Sequence, residues 1–308
     1  MVITIFILLV GLALLVIFSD IFVNAASSLA NSFKIPKMVI GLTIAAFCTC
    51  TPELAISFNS ILDADYDITI SNVVGSCIIN ILLIIGIASI VKPVRIKNTT
   101  VKRELPLLLI TTITFTLLFL DNTLTKLDAL ILIMFFIILC LYLYKLIKQF
   151  KKTETEKPEY TKPMAIFLTI ISIILITIAS DIVVNSTSTV AEYFNISAKI
   201  ITMTVIVIGT SLPELMITVS SAKKGEFDIT VGNIIGTNIF NICIVLGLPT
   251  ALFGPVTTYA FNYIDLFFLI TAATLFFVCG KSERTISKFE GIIMLLVFIL
   301  YYIYLFTT

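Results

Sequence analysis

Ten apolar stretches, each about as long as a helix that crosses a lipid bilayer, divide the 308 residues of this chain. They lie at 2–23, 38–61, 68–91, 105–120, 127–147, 164–185, 199–222, 229–252, 261–280 and 288–306. Hydrophobic residues make up 59% of the chain and charged residues 13%, a mixture that excludes an ordinary soluble domain. The alternating ten-residue segments of a membrane β-barrel do not occur, and helices satisfy their own backbone hydrogen bonds in lipid. The sequence therefore predicts an all-α membrane protein with ten transmembrane helices.

The basic residues predict the orientation of these helices. If the loop 148–163 is cytoplasmic, all but two of the 20 Lys and Arg residues, Lys126 and Lys199, fall in cytoplasmic connections or adjoining helix ends. We therefore expect a multi-pass protein of the cell membrane whose termini both lie on the extracytoplasmic side. Residues 2–23 lack the basic start of a secretory signal peptide, so we expect a spanning helix there.

An internal repeat relates the two halves of the chain at a constant offset of 161 positions. The offset superimposes identical residues in both halves: Ser19 on Ser180, Asp20 on Asp181, Thr49 on Thr210, Glu53 on Glu214, Asn72 on Asn233, Gly75 on Gly236 and Asn80 on Asn241. Each half holds five spans, so the second half enters the membrane from the opposite side. The sequence predicts two inverted five-helix repeats, 1–147 and 164–308, joined by the cytoplasmic linker 148–163, with a substrate site near the midplane.

Each repeat places a glutamate directly after a proline inside an apolar stretch, in "CTCTPEL" (48–54) and "GTSLPEL" (209–215). Proline lacks an N–H and crowds the preceding turn, so the carbonyl four residues earlier loses its helical partner. Those carbonyls belong to Cys48 and Gly209. Free carbonyls at membrane depth must face protein or a water-filled cavity, and intramembrane acids are functional by default. Glu53 and Glu214 are therefore the leading candidates for a functional site.

Polar side chains four positions apart are expected to share a helix face with these acids. The pairs are Thr49 with Glu53, Ser76 with Asn80, Thr210 with Glu214, and Thr237 with Asn241. Carboxylates, hydroxyls, carboxamides and free carbonyls together form an all-oxygen cage, which suits a hard cation such as Ca²⁺. Two facing carboxylates are penalised when no cation is bound, and one divalent cation or several monovalent ones would neutralise them, which favours exchange over leak.

These motifs resemble the two α-repeats of the cation/Ca²⁺ exchanger superfamily, and in particular its prokaryotic sodium/calcium exchangers. The resemblance rests on "GTSLPEL" with "VGNIIGTNIFNICIVLG" (231–247), and on "CTCTPEL" with "ISNVVGSCIINILLIIG" (70–86). It covers the whole chain and implies a secondary active antiporter that exchanges Na⁺ for Ca²⁺ by alternating access. In the family, the first and sixth helices slide across the rest of the bundle.

The resemblance also implies a ligand set. Ca²⁺ would be held by Glu53 and Glu214 with backbone oxygens of Thr49 and Thr210. Na⁺ would be held by hydroxyls of Thr49, Ser76, Thr210, Ser211 and Thr237 and by carbonyls of Ala46 and Val207, and Asn80 and Asn241 would complete the centre. Cys50 departs from the pattern because the family usually has serine there, and a thiol is a poor ligand for Na⁺. A proton-coupled exchanger of Ca²⁺ or another divalent cation therefore stays open as the alternative.

Other polar residues are expected to have structural roles. We expect Asn72 and Asn233 to brace helices, and Asp20 and Asp181 to cap or flank span ends outside the site. The six cysteines all lie in predicted spans and predict no disulfide framework. The chain has no histidine and no enzyme motif, so we expect neither an enzyme nor a cofactor. The expected partners are Ca²⁺, Na⁺ and the bilayer, with no nucleic acid and no obligate protein partner.

Overall fold

The computed structural model describes residues 2–150, 158–194, 207–258 and 263–307 and contains the ten helical spans in the predicted order. In chain order they are Val2–Phe33, Lys37–Thr49 with Thr51–Leu62, Tyr66–Val91, Glu104–Leu118, Lys126–Gln149, Lys162–Tyr193, Val207–Thr210 with Leu212–Lys224, Phe227–Phe253, Tyr263–Lys281 and Lys288–Thr307. A short helix, Asn98–Lys102, precedes the fourth span. The predicted all-α class is confirmed.

Length and hydropathy separate the spans into two groups. Within the described residues, seven helices are long and apolar enough to cross a membrane, and the bent second span is an eighth. The fourth span has only 15 residues, as its short apolar stretch predicted. The start of the seventh predicted span, 199–206, lies outside the described residues. The predicted loop 148–163 is described except for its middle, 151–157.

The first and sixth spans are longer than predicted, because the helices continue past the polar residues at which the apolar stretches end. The first was predicted to end at residue 23 and ends at Phe33, and the sixth was predicted to end at residue 185 and ends at Tyr193. In the first span the helix continues because Ala26 and Ala30 beyond the predicted end are fully buried. Packing on one face therefore stabilises the helix beyond the residue at which hydropathy predicts its end.

Asp20 consequently lies inside a helix, and the expectation that it caps or flanks a span end is wrong. Its carboxylate accepts a hydrogen bond from the hydroxyl of Ser220 on the seventh span. Its mate Asp181 also lies within a helix and is exposed. Both residues lie near the ends of the apolar stretches 2–23 and 164–185, which is why the sequence suggested a span end there.

The first and sixth spans pack along each other as a pair at the side of the other eight. Their facing side chains form a hydrophobic cluster that is separate from the main core and includes Leu15, Phe22 and Ile176. Gly11 permits the close approach, because a Cβ there would lie 2.9 Å from a methyl group of Val183. The pair contacts the rest of the bundle mainly through the second and seventh spans.

Two short antiparallel ribbons give direct evidence for the inverted repeat. Strand β1 (Val94–Arg95) pairs with β4 (Thr285–Ile286), and β2 (Thr123–Leu124) pairs with β3 (Val256–Thr257). Exchanging the halves at the 161-residue offset converts the partners Arg95 and Thr285 into Val256 and Leu124. Those two residues are themselves partners in the other ribbon. The two ribbons are therefore mates under the inverted symmetry.

Close helix crossings bring the repeated motifs of the two halves together at the centre of the bundle. The second span crosses the eighth at Gly232 and Gly236. A Cβ added to Gly236 would lie 2.8 Å from the Leu42 carbonyl oxygen and from the Ala46 side chain. Only glycine allows this approach, which places the polar residues that follow Gly236 beside the break in the second span.

Candidate cation site

Both acid-bearing spans are interrupted two residues before the proline of the Pro-Glu pair. Cys50 (φ −82°, ψ 2°) separates Ala46–Thr49 from Thr51–Leu62, and the two parts of the second span differ in direction by 46°. Ser211 (φ −91°, ψ 6°) breaks the seventh span in the same way. The proline lies in the first turn of each following helix, where its missing N–H costs nothing.

The breaks correct one detail of the sequence argument. Thr49 and Glu53 do not share the face of one regular helix, because they lie on opposite sides of the interruption. Glu53 instead lies in the first turn of its helix segment, and Glu214 does the same in the second repeat. A helix N-terminus favours negative charge, so each break places its carboxylate where the helix dipole offsets part of the cost of burial.

The freed carbonyl of Gly209 is satisfied by protein, as predicted. Ser180 on the sixth span donates its hydroxyl to the Gly209 oxygen at 2.9 Å. Its mate Ser19 on the first span donates instead to Val16 in its own helix, also at 2.9 Å. The sixth span therefore forms a hydrogen bond with the break in the seventh span through Ser180, whereas Ser19 of the first span forms its hydrogen bond within its own helix.

Asn80 and Asn241 lie in π-helical turns that sequence reasoning missed. The third span changes to a π-helix over Ile79–Ile85, and the eighth over Asn241–Leu246. These turns occupy matching positions in the two repeats and widen the helix beside the acids. Single π turns inside α-helices are frequent at functional sites. No residue type in either stretch signals the change.

Most of the predicted site side chains are buried and have polar atoms without a protein partner. Glu53 is 1% exposed and Glu214 is 0% exposed. Within the described part of the chain, the atoms that lack a hydrogen-bond partner include Glu53 Oε2, both carboxylate oxygens of Glu214, the side-chain amides of Asn80 and Asn241, and the hydroxyls of Ser76, Ser211 and Thr237. A buried polar atom without a partner costs about 1–3 kcal/mol, so this set of atoms calls for partners other than protein atoms, namely water or a bound ion.

The structure brings the two acids together from opposite repeats. Glu53 and Glu214 are close enough to repel each other electrostatically, and the thiol of Cys50 lies near both carboxylates. The Thr49 hydroxyl lies beside Glu214 but donates to the Ala46 carbonyl at 3.3 Å. No group of three or more His, Cys, Asp or Glu side chains in the described ranges is arranged to hold a metal ion. The negative charge at the centre is therefore that of two carboxylates surrounded by neutral oxygens.

The remaining predicted ligands differ between the repeats. Cys50 is fully buried, and its thiol faces the Thr237 carbonyl at 3.9 Å, whereas its mate Ser211 has an unpartnered hydroxyl. Thr210 is half-buried and Thr49 is fully buried. Val207 begins the described part of the seventh span. The centre of the bundle is thus symmetric in its acids and amides and asymmetric in this one hydroxyl.

Asn72 and Asn233 brace the acid-bearing segments, as predicted. Asn72 Nδ2 donates to the Glu53 carbonyl at 3.4 Å, and Asn233 Nδ2 donates to the Glu214 carbonyl at 3.5 Å. The bonds are mates under the inverted symmetry and fix the first turn of each acid-bearing helix against the neighbouring span.

All six cysteines are free thiols.

Comparison with known proteins decides the family. The chain matches the family described as sodium/calcium exchanger protein over residues 3–145 and 164–307. This chain belongs to the sodium/calcium exchanger family. It is similar to the inner membrane protein YrbG of Escherichia coli strain K12, with 34% identity over 93% of this chain and 92% of the relative. It is also similar to the sodium/calcium exchanger MaX1 of Methanosarcina acetivorans, with 29% identity over 97% of each chain.

A solved structure of the sodium–calcium exchanger NCX_Mj, soaked without Na⁺ and Ca²⁺, has the same fold. It superimposes with a TM-score of 0.85 at 28% identity, over 97% of this chain and 98% of the other. The exchanger family is a family of transporters and not of enzymes. Membership and fold together support cation/Ca²⁺ exchange by a multi-pass membrane protein built from two inverted five-helix repeats.

Proposed function

We propose that this exchanger couples Na⁺ to Ca²⁺ across the cell membrane by alternating access, with Glu53 and Glu214 as its central cation ligands. The observation that carries the proposal is the meeting of these two buried carboxylates, one from each inverted repeat, among oxygens without protein partners. The relative MaX1 and the structural neighbour NCX_Mj are both named as sodium/calcium exchangers.

The ligand set of the proposal extends from the acids to the neutral oxygens around them. Amides of Asn80 and Asn241 and hydroxyls of Ser76, Ser211 and Thr237 lie fully buried with unpartnered atoms, which supports them as ligands. The set is completed by Thr49, Thr210, Cys50 and the carbonyls of Ala46 and Val207. Neutral oxygens around two negative charges suit either one Ca²⁺ or several Na⁺ ions, because both substrates are hard cations.

Charge balance gives the coupling a physical reason. An intramembrane charge costs about 2.5–3.5 kcal/mol on insertion scales, so the bundle with two uncompensated carboxylates is penalised when it rearranges. One Ca²⁺ or two Na⁺ ions would neutralise the pair. The loaded protein therefore changes access more readily than the empty one, and each substrate has to be replaced by the other.

The proposal also includes the orientation and domain division. Residues 1–147 and 164–308 form the two repeats, the linker 148–163 is cytoplasmic, and both termini are extracytoplasmic. The distribution of Lys and Arg among the connections supports this orientation. The partners in this proposal are the ion substrates and the bilayer, with no obligate protein partner and no cofactor.

The test is transport of radioactive Ca²⁺ into proteoliposomes under an imposed Na⁺ gradient. Glu53→Gln and Glu214→Gln are each expected to abolish the uptake, because either change removes one of the two central charges. Glu104→Gln is the matched control, since Glu104 is also an almost fully buried acid but lies at the start of the fourth span, where the Tyr142 hydroxyl donates to it. Full activity in either site variant would remove that residue from the mechanism.

The same vesicles distinguish the coupling ion. Cys50 supports the alternative of H⁺ coupling, because its thiol occupies the position at which the second repeat has the Ser211 hydroxyl. Uptake that follows an imposed pH gradient and ignores Na⁺ would replace Na⁺ by H⁺ in the proposal. Uptake that follows the Na⁺ gradient at constant pH is the expected result.

A further inference from the structure

Four polar residues in each repeat lie between the central acid and one face of the membrane. The first-repeat quartet consists of Ser57, Ser60, Thr69 and Asn72, and the second-repeat quartet of Thr218, Ser221, Thr230 and Asn233. The members correspond one to one at the 161-residue offset. Inverted symmetry directs the first quartet towards the face with Asp63, Asp65 and Asp67, here named the acidic face. It directs the second towards the face with Lys223 and Lys224, here named the basic face.

The second-repeat quartet is closed by its own hydrogen bonds. Asn233 donates to the Thr218 hydroxyl at 3.0 Å, and the hydroxyls of Ser221 and Thr230 are hydrogen-bonded at 2.8 Å. Ser221 also donates to the Thr218 carbonyl at 3.0 Å. All four side chains are completely buried. Every hydroxyl of this quartet therefore has a protein partner, and the side-chain oxygen that lacks one among the described residues is the amide oxygen of Asn233.

The first-repeat quartet differs from the second only at Ser57, which corresponds to Thr218, but it lacks this network. Ser57 and Thr69 are both 0% exposed, and neither hydroxyl has a hydrogen-bond partner among the residues that the structure describes. Asn72 donates to the Glu53 carbonyl and not to the residue that corresponds to Thr218. Ser57 is shorter than its mate Thr218 by a methyl group, which leaves more space at this position. Two buried hydroxyls without protein partners call for a bound water or a bound ion.

The positions of these hydroxyls on their helices place them on the side of Glu53 that faces the acidic face. Ser57 follows Glu53 by four residues on one helix, so it lies about 6 Å further along the axis towards the acidic face. Thr69 lies on the third span, which packs against this helix. A polar pocket of about 210 Å³ is located where the third span begins. Its lining residues are Ala64, Asp65, Tyr66, Asp67, Thr257 and Thr258.

We propose that Ser57 and Thr69 are transient oxygen ligands for the transported cation on its way between the acidic face and Glu53. Uncharged hydroxyls replace part of the hydration shell of a hard cation but bind it weakly, which suits a step that must also release it. In the arrangement described here, the hydroxyls of Ser57 and Thr69 have no protein partner, whereas the hydroxyls of the second-repeat quartet are hydrogen-bonded to protein. The inference rests on the proposed function in that it needs a transported cation, but it does not depend on which ion is coupled to Ca²⁺.

The test compares the two faces of the membrane in one protein. The KM for Ca²⁺ is measured in right-side-out and in everted vesicles from the same cells, for the variants Ser57→Ala and Thr69→Val. Each is expected to raise the KM at the acidic face by about 3- to 10-fold and to leave the KM at the basic face within about twofold of wild type. The conservative variants Ser57→Thr and Thr69→Ser keep the hydroxyl and are expected to restore the wild-type KM.

The inverted repeat supplies a matched control. Thr230→Val removes the hydroxyl that corresponds to Thr69 and is expected to leave the KM at the acidic face unchanged. An unchanged KM in both Ser57→Ala and Thr69→Val would mean that the hydroxyls bind only water, and would overturn the inference. An equal rise at both faces would also overturn it, because it would indicate a structural effect on the central site. Absence of Na⁺-driven uptake in the wild-type protein would refute the proposed function but not this inference, because the KM for Ca²⁺ can be measured with whichever ion drives the exchange.

Discussion

Lys224 fastens the first span to the end of the seventh at the basic face, and its replacement by methionine is expected to favour opening on that side. Its ammonium group donates to the Asn24 side chain at 2.6 Å and to the Asp20 carbonyl at 2.8 Å. It also lies 3.8 Å from the Asp20 carboxylate. The corresponding residue in the first repeat is Asp63, so the opposite end of the bundle has no equivalent cation at this position.

The size of the effect follows from these contacts. The side chains of Lys224 and Asp20 are 25% and 44% exposed, so the ion pair contributes at most about 1 kcal/mol. Hydrogen bonds that involve a charged group contribute about 1.5–3 kcal/mol when buried, and competition from water reduces that value here. A total of about 1–3 kcal/mol corresponds to a shift of about 5- to 150-fold in the equilibrium between the two access states.

The apparent KM for Ca²⁺ at the basic face reports this shift. Apparent affinity is reduced by the fraction of molecules in the competent state, so a larger population open to the basic face lowers the KM there. We expect Lys224→Met to lower this KM by about fivefold or more in vesicles that expose the basic face, up to the point at which the open state predominates.

Lys223→Met is the matched control for surface charge. Lys223 is exposed, lies next to Lys224 and carries the same charge, so its loss changes the local potential equally without removing the contacts to the first span. A KM lowered to the same extent in both variants would mean that surface charge is responsible, and an unchanged KM in Lys224→Met would refute the role of the contact. Asp20→Asn is expected to give part of the effect, because the backbone contact remains.

Three further changes test the packing and chemistry of the centre. Gly236→Ala is expected to destabilise the protein by about 1–3 kcal/mol, because the added methyl group would lie 2.8 Å from neighbouring atoms, and thermal unfolding should show little change for Gly247→Ala, where the nearest atom is 3.4 Å away. Ser180→Ala removes the hydroxyl that satisfies the Gly209 carbonyl and is expected to cost about 1–3 kcal/mol, whereas an unchanged melting temperature would show that the carbonyl finds another partner. Cys50→Ser is expected to lower the Na⁺ concentration for half-maximal Ca²⁺ exchange, and equal Na⁺ dependence in both proteins would remove this position from the Na⁺ site.

The spans and their inverted relation were predictable because membrane insertion imposes a simple length rule and the repeat leaves a constant offset. The long ends of the first and sixth helices were not, since Ala26 and Ala30 carry little hydropathy signal and are held by packing against a partner helix. Hydropathy describes each residue against lipid, and it contains no information about which helix faces which.

The centre was predictable in its residues and less so in its geometry. The Pro-Glu motifs identified both acids, because proline and carboxylate are each costly in lipid. The location of the break at Cys50 and Ser211 depends on which turn accommodates the proline. The π-helical turns at Asn80 and Asn241 depend on the fit between crossing helices. The hydrogen-bonding difference between the two quartets had no sequence signal apart from the exchange of Thr218 for Ser57.

The two ribbons join the two repeats to each other through backbone pairing. Strands β1 and β2 adjoin the third, fourth and fifth spans, and β3 and β4 adjoin the eighth, ninth and tenth, so each ribbon links a loop of one repeat to a loop of the other at opposite ends of the molecule. In the described structure, neither ribbon includes a residue of the first or sixth span. The ribbons thus join loops of six spans, and the second and seventh spans, which carry both acids, lie between these six and the pair formed by the first and sixth spans. Movement of that pair would change access to the acids without opening either ribbon.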